Sequence, residues 1–416
     1  MICAFQPHPG RHSPGVQTGK RKSYGQSPCL SRQDVERPSL KKKDNRQGAK
    51  PRAGQDNRSG KPGSKPPRQK DAARTRAPDY VRPAATAPKE KVQASAPAVE
   101  AAPPRPLKER SGALPTEQVP VILESLGAGD FHLIDSGNGL KLEQYGEYRI
   151  VRPEAQALWR PSLAERVWDN ADAIFTGDTD EEGSGRWRFP KQALGETWPL
   201  SLLGVDFLGR FTAFRHVGVF PEQIVHWEWL KQAIEKADRP LKVLNLFGYT
   251  GVASLVAASA GAEVTHVDAS KKAIGWAREN QALAGLENAP IRWICEDAMK
   301  FILREERRGN SYDIILTDPP KFGRGTHGEV WDLYDHLPLM LDVCREILSP
   351  KALGYVLTAY SIRASFYSMH ELMRETMRGA GGEVTSGELV IREAGLDGKT
   401  PGRVLSTSLF SRWVPK

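Results

Sequence analysis

Leu241-Lys-Val-Leu-Asn-Leu-Phe-Gly-Tyr-Thr-Gly251 is the stretch on which the fold turns. Its first seven residues form a near-continuous apolar run, the pattern of a strand covered on both faces in a parallel sheet. A glycine-bearing turn follows, and Ala253–Ala260 then reads as a helix. The same alternation extends outward in both directions. An amphipathic helix from His226 to Ala237 precedes it. Downstream lie strand Glu263–Asp268, helix Lys271–Leu283, strand Ile291–Ile294, helix Ala298–Arg307, strand Ser311–Thr317, helix Leu333–Ile347 and strand Gly354–Ala359. Strands separated by helices of about 10–15 residues predict an α/β fold, a parallel sheet with helices on both faces.

In such a sheet, ligands bind outside the carboxyl ends of the strands, where the strand order reverses. The first strand ends in Asn245-Leu-Phe247-Gly248-Tyr-Thr250-Gly251, whose small residues let backbone N–H groups approach a ligand closely. The second ends in Asp268, an acid placed to accept the hydroxyl hydrogens of a ribose. The third ends in Glu296-Asp297, placed to accept from an adenine amino group, and the fourth in Asp318-Pro319-Pro320, a rigid turn that holds a carboxylate and a carbonyl beside a reacting atom. Singly these signals are weak. The turn lacks GxGxxG, and a strand-terminal acid is often only a helix N-cap. Four at the ends of four successive strands are far more specific. A nicotinamide enzyme shares the first two but does not need the fourth.

Val243-Leu-Asn-Leu-Phe-Gly-Tyr-Thr-Gly251, Val267-Asp268, Glu296-Asp297 and Asp318-Pro-Pro-Lys-Phe322 closely resemble the class I methyltransferases that modify bacterial large-subunit ribosomal RNA, over residues 205–365. The resemblance implies a Rossmann-like sheet and S-adenosylmethionine as cofactor. It implies that the first motif cradles the methionine part, that Asp268 binds the ribose and that Asp297 lies by the adenine. Val219-Phe220-Pro-Glu-Gln223 is similar to the family's cofactor-side element, which puts Phe220 and Gln223 at the cofactor; Ile224 stands where the family has arginine. The Asp318–Phe322 segment would line the target-base pocket, with Asp318, Pro319 and Phe322 as the catalytic residues. Members that make 5-methylcytidine use a cysteine on the loop after the strand matching Gly354–Ala359. Here that loop reads Thr358-Ala-Tyr-Ser-Ile-Arg363. Cys344 falls in the apolar helical pattern Leu339–Leu348, and Cys295 on a strand. A covalent cysteine adduct is therefore disfavoured. Direct transfer to a base nitrogen is expected instead. Asp318 and the Pro319 carbonyl would accept the hydrogens of an exocyclic amine, and Phe322 or Tyr360 would stack on an extruded base. Lys321 would steer a phosphate or serve as an ordinary surface lysine. Another branch methylates a guanine ring nitrogen. The family's usual N-terminal RNA-binding module is not recognisable in this chain.

Before the catalytic stretch, 219–416, residues 113–218 read as a small β-rich module. Phe131–Asp135 and Leu140–Gln144 flank the hairpin turn Ser136-Gly-Asn-Gly139, and Tyr148–Val151, Trp187–Phe189, Leu200–Leu203 and Phe211–Phe214 continue the strand-like runs. Trp159, Trp168, Trp187 and Trp198 are expected as core. Residues 1–112 read as a disordered basic tail with an Ala/Pro linker. They hold 25 Lys and Arg against 9 Asp and Glu, whereas residues 113–416 hold 34 against 41. A basic arm on an acidic body suits RNA, with a solubilising tail as the bland alternative. Near the C-terminus, Glu388–Arg392 and Val404–Phe410 predict an antiparallel pair at the sheet edge.

The four cysteines show no paired spacing and no CxxC, which fits a reducing compartment without a metal site. No apolar run is long enough to span a membrane. The first acidic residue is Asp34, as in a transit peptide, yet Pro and Gly interrupt any amphipathic helix there, so a cytoplasmic location is expected. His216, His226, His327 and His336 could each be catalytic, though they stand at no metal-ligand or triad spacing. Two other functions remain open from sequence: a methyltransferase acting on protein or a small molecule, and a non-catalytic RNA-binding protein on a methyltransferase scaffold.

Overall fold

The computed structural model describes residues 105–177, 185–360, 362 and 364–416. In chain order the strands before the first long helix are β1 Thr116–Ser125, β2 Phe131–Gly137, β3 Leu140–Tyr145, β4 Tyr148–Pro153, β5 Ala173–Gly177, β6 Gly185–Arg188, β7 Thr197–Leu202 and β8 Val205–Arg210, with a short helix α1, Glu165–Asp169, between β4 and β5. A 3₁₀ turn, Pro221–Gln223, leads into α2 Ile224–Glu235. The alternation then runs β9 Lys242–Leu246, α3 Val252–Ser259, β10 Glu263–Asp268, α4 Lys271–Leu283, β11 Ile291–Cys295, α5 Ala298–Arg308 and β12 Ile314–Thr317. A hairpin, β13 Phe322–Arg324 with β14 Val330–Asp332, precedes α6 Leu333–Glu346. β15 Gly354–Tyr360, α7 Phe366–Thr376, β16 Glu383–Arg392 and β17 Val404–Val414 complete the chain.

Eight strands form one sheet in the order β1-β16-β17-β15-β12-β9-β10-β11. All pairings are parallel except those of β17, which runs antiparallel between β15 and β16. The ends expected for β9, β10, β11, β12 and β15 agree with the observed ones to within three residues, because buried apolar runs are the strongest local signals, whereas β16 starts five residues earlier and β17 ends four residues later than expected. Phe301, Met340, Leu341, Met369 and Met373 from α5, α6 and α7 pack on one face of the sheet. Leu230, Ile234 and Ala257 from α2 and α3 pack on the other, with Val243, Ile314 and Val356 of the strands. Among the described residues no helix is long and apolar enough to cross a membrane.

The β-rich segment folds as a five-stranded sheet, β2 to β6, beside the β7–β8 hairpin. Asn138 (φ 55°) and Gly139 (φ 75°) make the expected tight turn between β2 and β3. Trp198 is buried and stacks on Phe211 at 4.4 Å. Phe211–Phe214, expected as a strand, is a turn: Thr212 Oγ1 accepts from the Phe214 N–H and donates to the Phe214 carbonyl, satisfying locally what a ladder would have used. The actual strand is the preceding Val205–Arg210. The segment shares its core with the catalytic part, since Phe131, Leu133, Trp198 and Phe207 pack in one cluster with Ile224, Trp227, Val252 and Ile391. Arg403 ties the two polar edges together by donating to Asp135, to Glu393 and to the Ser136 carbonyl.

Two expectations for the N-terminal part are corrected. Of the tail expected at 1–112, residues 1–104 lie outside the described residues, but 105–112 are held in place. Arg105 pairs with Glu306, Lys108 with Glu346, and Arg110 with Asp342 and Glu346. Residues 116–125, expected within the β-rich module, are instead the edge strand of the large sheet. Glu117 of β1 is anchored there by His370 Nε2 at 2.8 Å and Arg374 Nη1 at 3.1 Å.

Candidate active site

Strand order reverses between β9 and β12, and the register sets the site. Leu246 lies beside Thr317, and Thr317 beside Leu357. The next residues, Phe247, Asp318 and Thr358, therefore emerge in a row at the carboxyl edge of the sheet. The turn after β9 has unusual backbone: Phe247 (φ 56°) and Tyr249 (φ 51°) occupy the left-handed region, as does Gly251 (φ 84°). Non-glycine residues there cost about 1–3 kcal/mol each and persist only where the surroundings hold them. Here they are held from several sides. The Tyr249 N–H donates to Asp268 Oδ2 at 2.9 Å, Thr250 Oγ1 donates to the Gly218 carbonyl at 2.5 Å, and Asn280 Nδ2 donates to the Thr250 carbonyl at 2.9 Å. Beneath the turn, Asn245 Nδ2 donates to Ser254 Oγ, which lies 3.0 Å from His266 Nδ1. A Cβ on Gly248 would stand 2.4 Å from His266 Cε1, so the turn packs this closely on the buried ring only because the residue is glycine.

Asp268 accepts from two backbone N–H groups, those of Tyr249 and Ser270 (2.7 Å). Burial outweighs both and pushes its carboxyl up to about 6. Asp297 is the N-cap of α5, with Oδ1 accepting from the Lys300 N–H at 2.9 Å, and the neighbouring Glu296 carboxylate is engaged by Arg304. Asp318 is held by Gln223, whose Nε2 donates to Asp318 Oδ2 at 3.0 Å and to the Tyr360 hydroxyl at 3.2 Å. The Gln223 carbonyl in turn accepts from Thr358 Oγ1. Phe220 packs between the rings of Tyr360 (5.1 Å) and Tyr249 (5.7 Å). Pro319 is buried, while Phe322 is 41% exposed on the β13–β14 hairpin. Trp331 of that hairpin fixes it by donating to the Pro320 carbonyl at 2.7 Å and packing 5.1 Å from Phe247.

Phe220, Gln223, Asn245, Phe247, Gly248, Thr250 and Asp318 thus line one cavity at the switch point. Gly251, Asp268, Asp297, Pro319 and Phe322 are not part of its wall. Gly251 opens α3 where a Cβ would meet Trp293 and Ala277, and Asp268 stands one strand further along. Sequence reasoning missed Thr358, Tyr249 and His226 as lining residues. Thr358 was signalled by its position at a strand end; His226 carried no local signal. Glu117, His370 and Glu371 each bring a ligand atom within 4.8 Å of one another at the β1 edge, but the Arg374 guanidinium on Glu117 makes that group an ion-pair anchor.

A crystal structure of the SAM-dependent methyltransferase from Agrobacterium tumefaciens is 88% identical to this chain, covers 74% of it and 98% of its own length, and superposes with a TM-score of 0.73. The chain belongs to the S-adenosylmethionine-dependent methyltransferases. Its cofactor is S-adenosylmethionine. This methyltransferase is also similar to two ribosomal RNA enzymes. It is 34% identical over 149 residues to ribosomal RNA large subunit methyltransferase K/L of Shewanella frigidimarina, a match over 35% of this chain and 20% of that protein. It is 31% identical over 148 residues to ribosomal RNA large subunit methyltransferase I of Aeromonas salmonicida, over 35% of each. The methyltransferase therefore spans between 20% and 35% of the length of these curated relatives. The family described as conserved hypothetical protein 95 matches residues 225–336.

Proposed function

We propose that this methyltransferase transfers a methyl group to a base nitrogen of RNA, ribosomal RNA foremost, directly and without a cysteine adduct. The observation that carries the reading is Asp318, held by Gln223 on the wall of the same cavity that the glycine-bearing turn lines. S-adenosylmethionine, when bound, supplies a methyl already activated on a sulfonium. The chain's task is then mainly placement. The turn Asn245–Gly251 would cradle the methionine part, and Asp268 would accept from the ribose hydroxyls. Asp297, with one oxygen committed to its helix, would offer the other toward the adenine side. Asp318 and the Pro319 carbonyl would accept the hydrogens of a base amine and so aim the nitrogen lone pair. Phe322, exposed beside them, offers a ring on which an extruded base stacks.

The two cysteines among the described residues support direct transfer. Cys344 is buried in α6, its thiol pushed up to about 12 by burial, and Cys295 ends β11, three strands away from β12. Neither faces the cavity. RNA is favoured by the names of the two ribosomal RNA relatives and by the basic balance of residues 1–112.

The test is tritium transfer from labelled S-adenosylmethionine to RNA from a strain lacking the gene, followed by nucleoside mass spectrometry. A methylated base nitrogen is the expected product. Label on cytosine C5 would overturn the direct mechanism. No label on RNA, with cofactor binding demonstrated, would shift the substrate to protein or a small molecule.

A further inference from the structure

His226 is a buried histidine with nothing to bond. It stands in the first turn of α2, 1% exposed, and neither Nδ1 nor Nε2 has a hydrogen-bond partner among the described residues. Its ring meets Phe410 edge-on at 5.2 Å, and the residue lines the switch-point cavity. Burial, with the Arg412 guanidinium nearby, holds its pKa down at about 3, so the ring is neutral and carries one N–H donor and one acceptor. Buried polar atoms are nearly always paired, and one that is not calls for a ligand or a reason.

The cavity wall shows what that ligand is. It contains no lysine or arginine. Its amide and threonine side chains are already committed as donors: Gln223 to Asp318 and Tyr360, Asn245 to Ser254, Thr250 to Gly218, Thr317 to Val356 and Thr358 to Gln223. An anionic group entering the cavity would find two uncommitted ring N–H groups, at His226 and at the Trp227 indole, and of these the His226 nitrogens are the fully buried ones. The orientation of the cofactor follows from the sheet. With its ribose at Asp268, on the β10 side of β9, its amino-acid end extends over β9 toward β12, where the cavity lies.

We propose that His226 recognises the amino-acid end of S-adenosylmethionine, its ring N–H donating to the α-carboxylate. The inference rests on the cavity being the cofactor pocket, and its test needs no RNA, so it fails or stands separately from the assignment of substrate.

Calorimetry on the full chain compares two probes. S-adenosylhomocysteine carries the amino-acid arm, and 5′-methylthioadenosine keeps the nucleoside and sulfur without it. His226→Leu should weaken S-adenosylhomocysteine roughly 10- to 100-fold, as expected for a lost hydrogen bond to a charged group. It should leave 5′-methylthioadenosine within about twofold, and His226→Gln, which restores a donor, should recover most of the loss. Equal weakening of both probes, or of neither, would show a packing residue only and overturn the proposal. A measurement on the unmodified protein guards against a variant that fails to fold. In ring-nitrogen NMR, S-adenosylhomocysteine should shift the His226 signals and 5′-methylthioadenosine should not; identical spectra with the two ligands would also overturn it.

Discussion

At Asp268 the two backbone donors favour the carboxylate while burial favours the acid, and burial prevails, with the pKa at about 6. Ribose hydroxyls donate to the ionised form, so binding selects the carboxylate. Below pH 6 the free protein carries a proton there that must leave on binding. Affinity for S-adenosylhomocysteine should therefore fall as pH drops through this value, by up to about tenfold per unit, and level off above it. Calorimetry between about pH 5 and 8 checks this, and Asp268→Asn should bind weakly with no such slope. A flat profile in the unmodified protein would remove Asp268 from the ribose. Asp268→Ala should cost about 1–3 kcal/mol of cofactor binding, the penalty for hydroxyls left unpaired. Asp318 divides binding from chemistry differently. Asp318→Ala should lower kcat on the order of a hundredfold while S-adenosylhomocysteine affinity is largely kept. Full turnover in that variant would sink the proposed role as amine acceptor.

At the scale of elements, the turn from Leu246 to Gly251 works because every residue in it is braced. A methyl on Gly248 would collide with the buried His266 ring and with Asn245 Nδ2 at 2.9 Å, neither of them a mobile chain end. Gly248→Ala should lower stability by about 1–3 kcal/mol, the usual cost of overpacking, and weaken S-adenosylhomocysteine as well. Thermal melting with and without ligand measures both, and a variant with unchanged melting would show the turn to be softer than its geometry. This turn was legible in the sequence, as were the acids at the strand ends, because strand and helix periods are local properties. What could not be read was set by distant partners. β1 shows no polar–apolar alternation in sequence and is interrupted by Pro120; it is a strand because β16 pairs with it, and an edge strand tolerates proline. Asp297 shows the limit of a strand-end rule, since its carboxylate caps α5. The Gln223–Asp318–Tyr360 group and the isolation of His226 depend on side chains brought together from residues as far apart as 223 and 360.

Over the whole molecule, the N-terminal basic region divides into two parts with different work. Residues 105–112 clasp α5 and α6 through Arg105, Lys108 and Arg110 on Glu306, Asp342 and Glu346, just before β1 joins the sheet. Residues 1–104 hold 22 Lys and Arg against 8 Asp and Glu. If RNA is the substrate as proposed, phosphate contacts by such a segment would release counterions, so they should dominate the affinity and make it fall steeply with salt. The partly exposed ion pairs of the clasp are worth about 0–1 kcal/mol each, and they share acceptors. Two truncations separate the roles. A chain beginning at residue 105 should melt like the full chain yet bind RNA more weakly, with a shallower dependence on salt. A chain beginning at residue 113 should bind RNA no worse than that, but melt lower by roughly 2–4 °C for each kcal/mol the clasp contributes. Both should keep their affinity for S-adenosylhomocysteine, because the cavity proposed to take the cofactor is built from residue 218 onward. If the chain from residue 105 kept full RNA affinity and its salt slope, the basic arm would have no part in substrate binding, and recognition would fall to the surface around Phe322 and the β13–β14 hairpin.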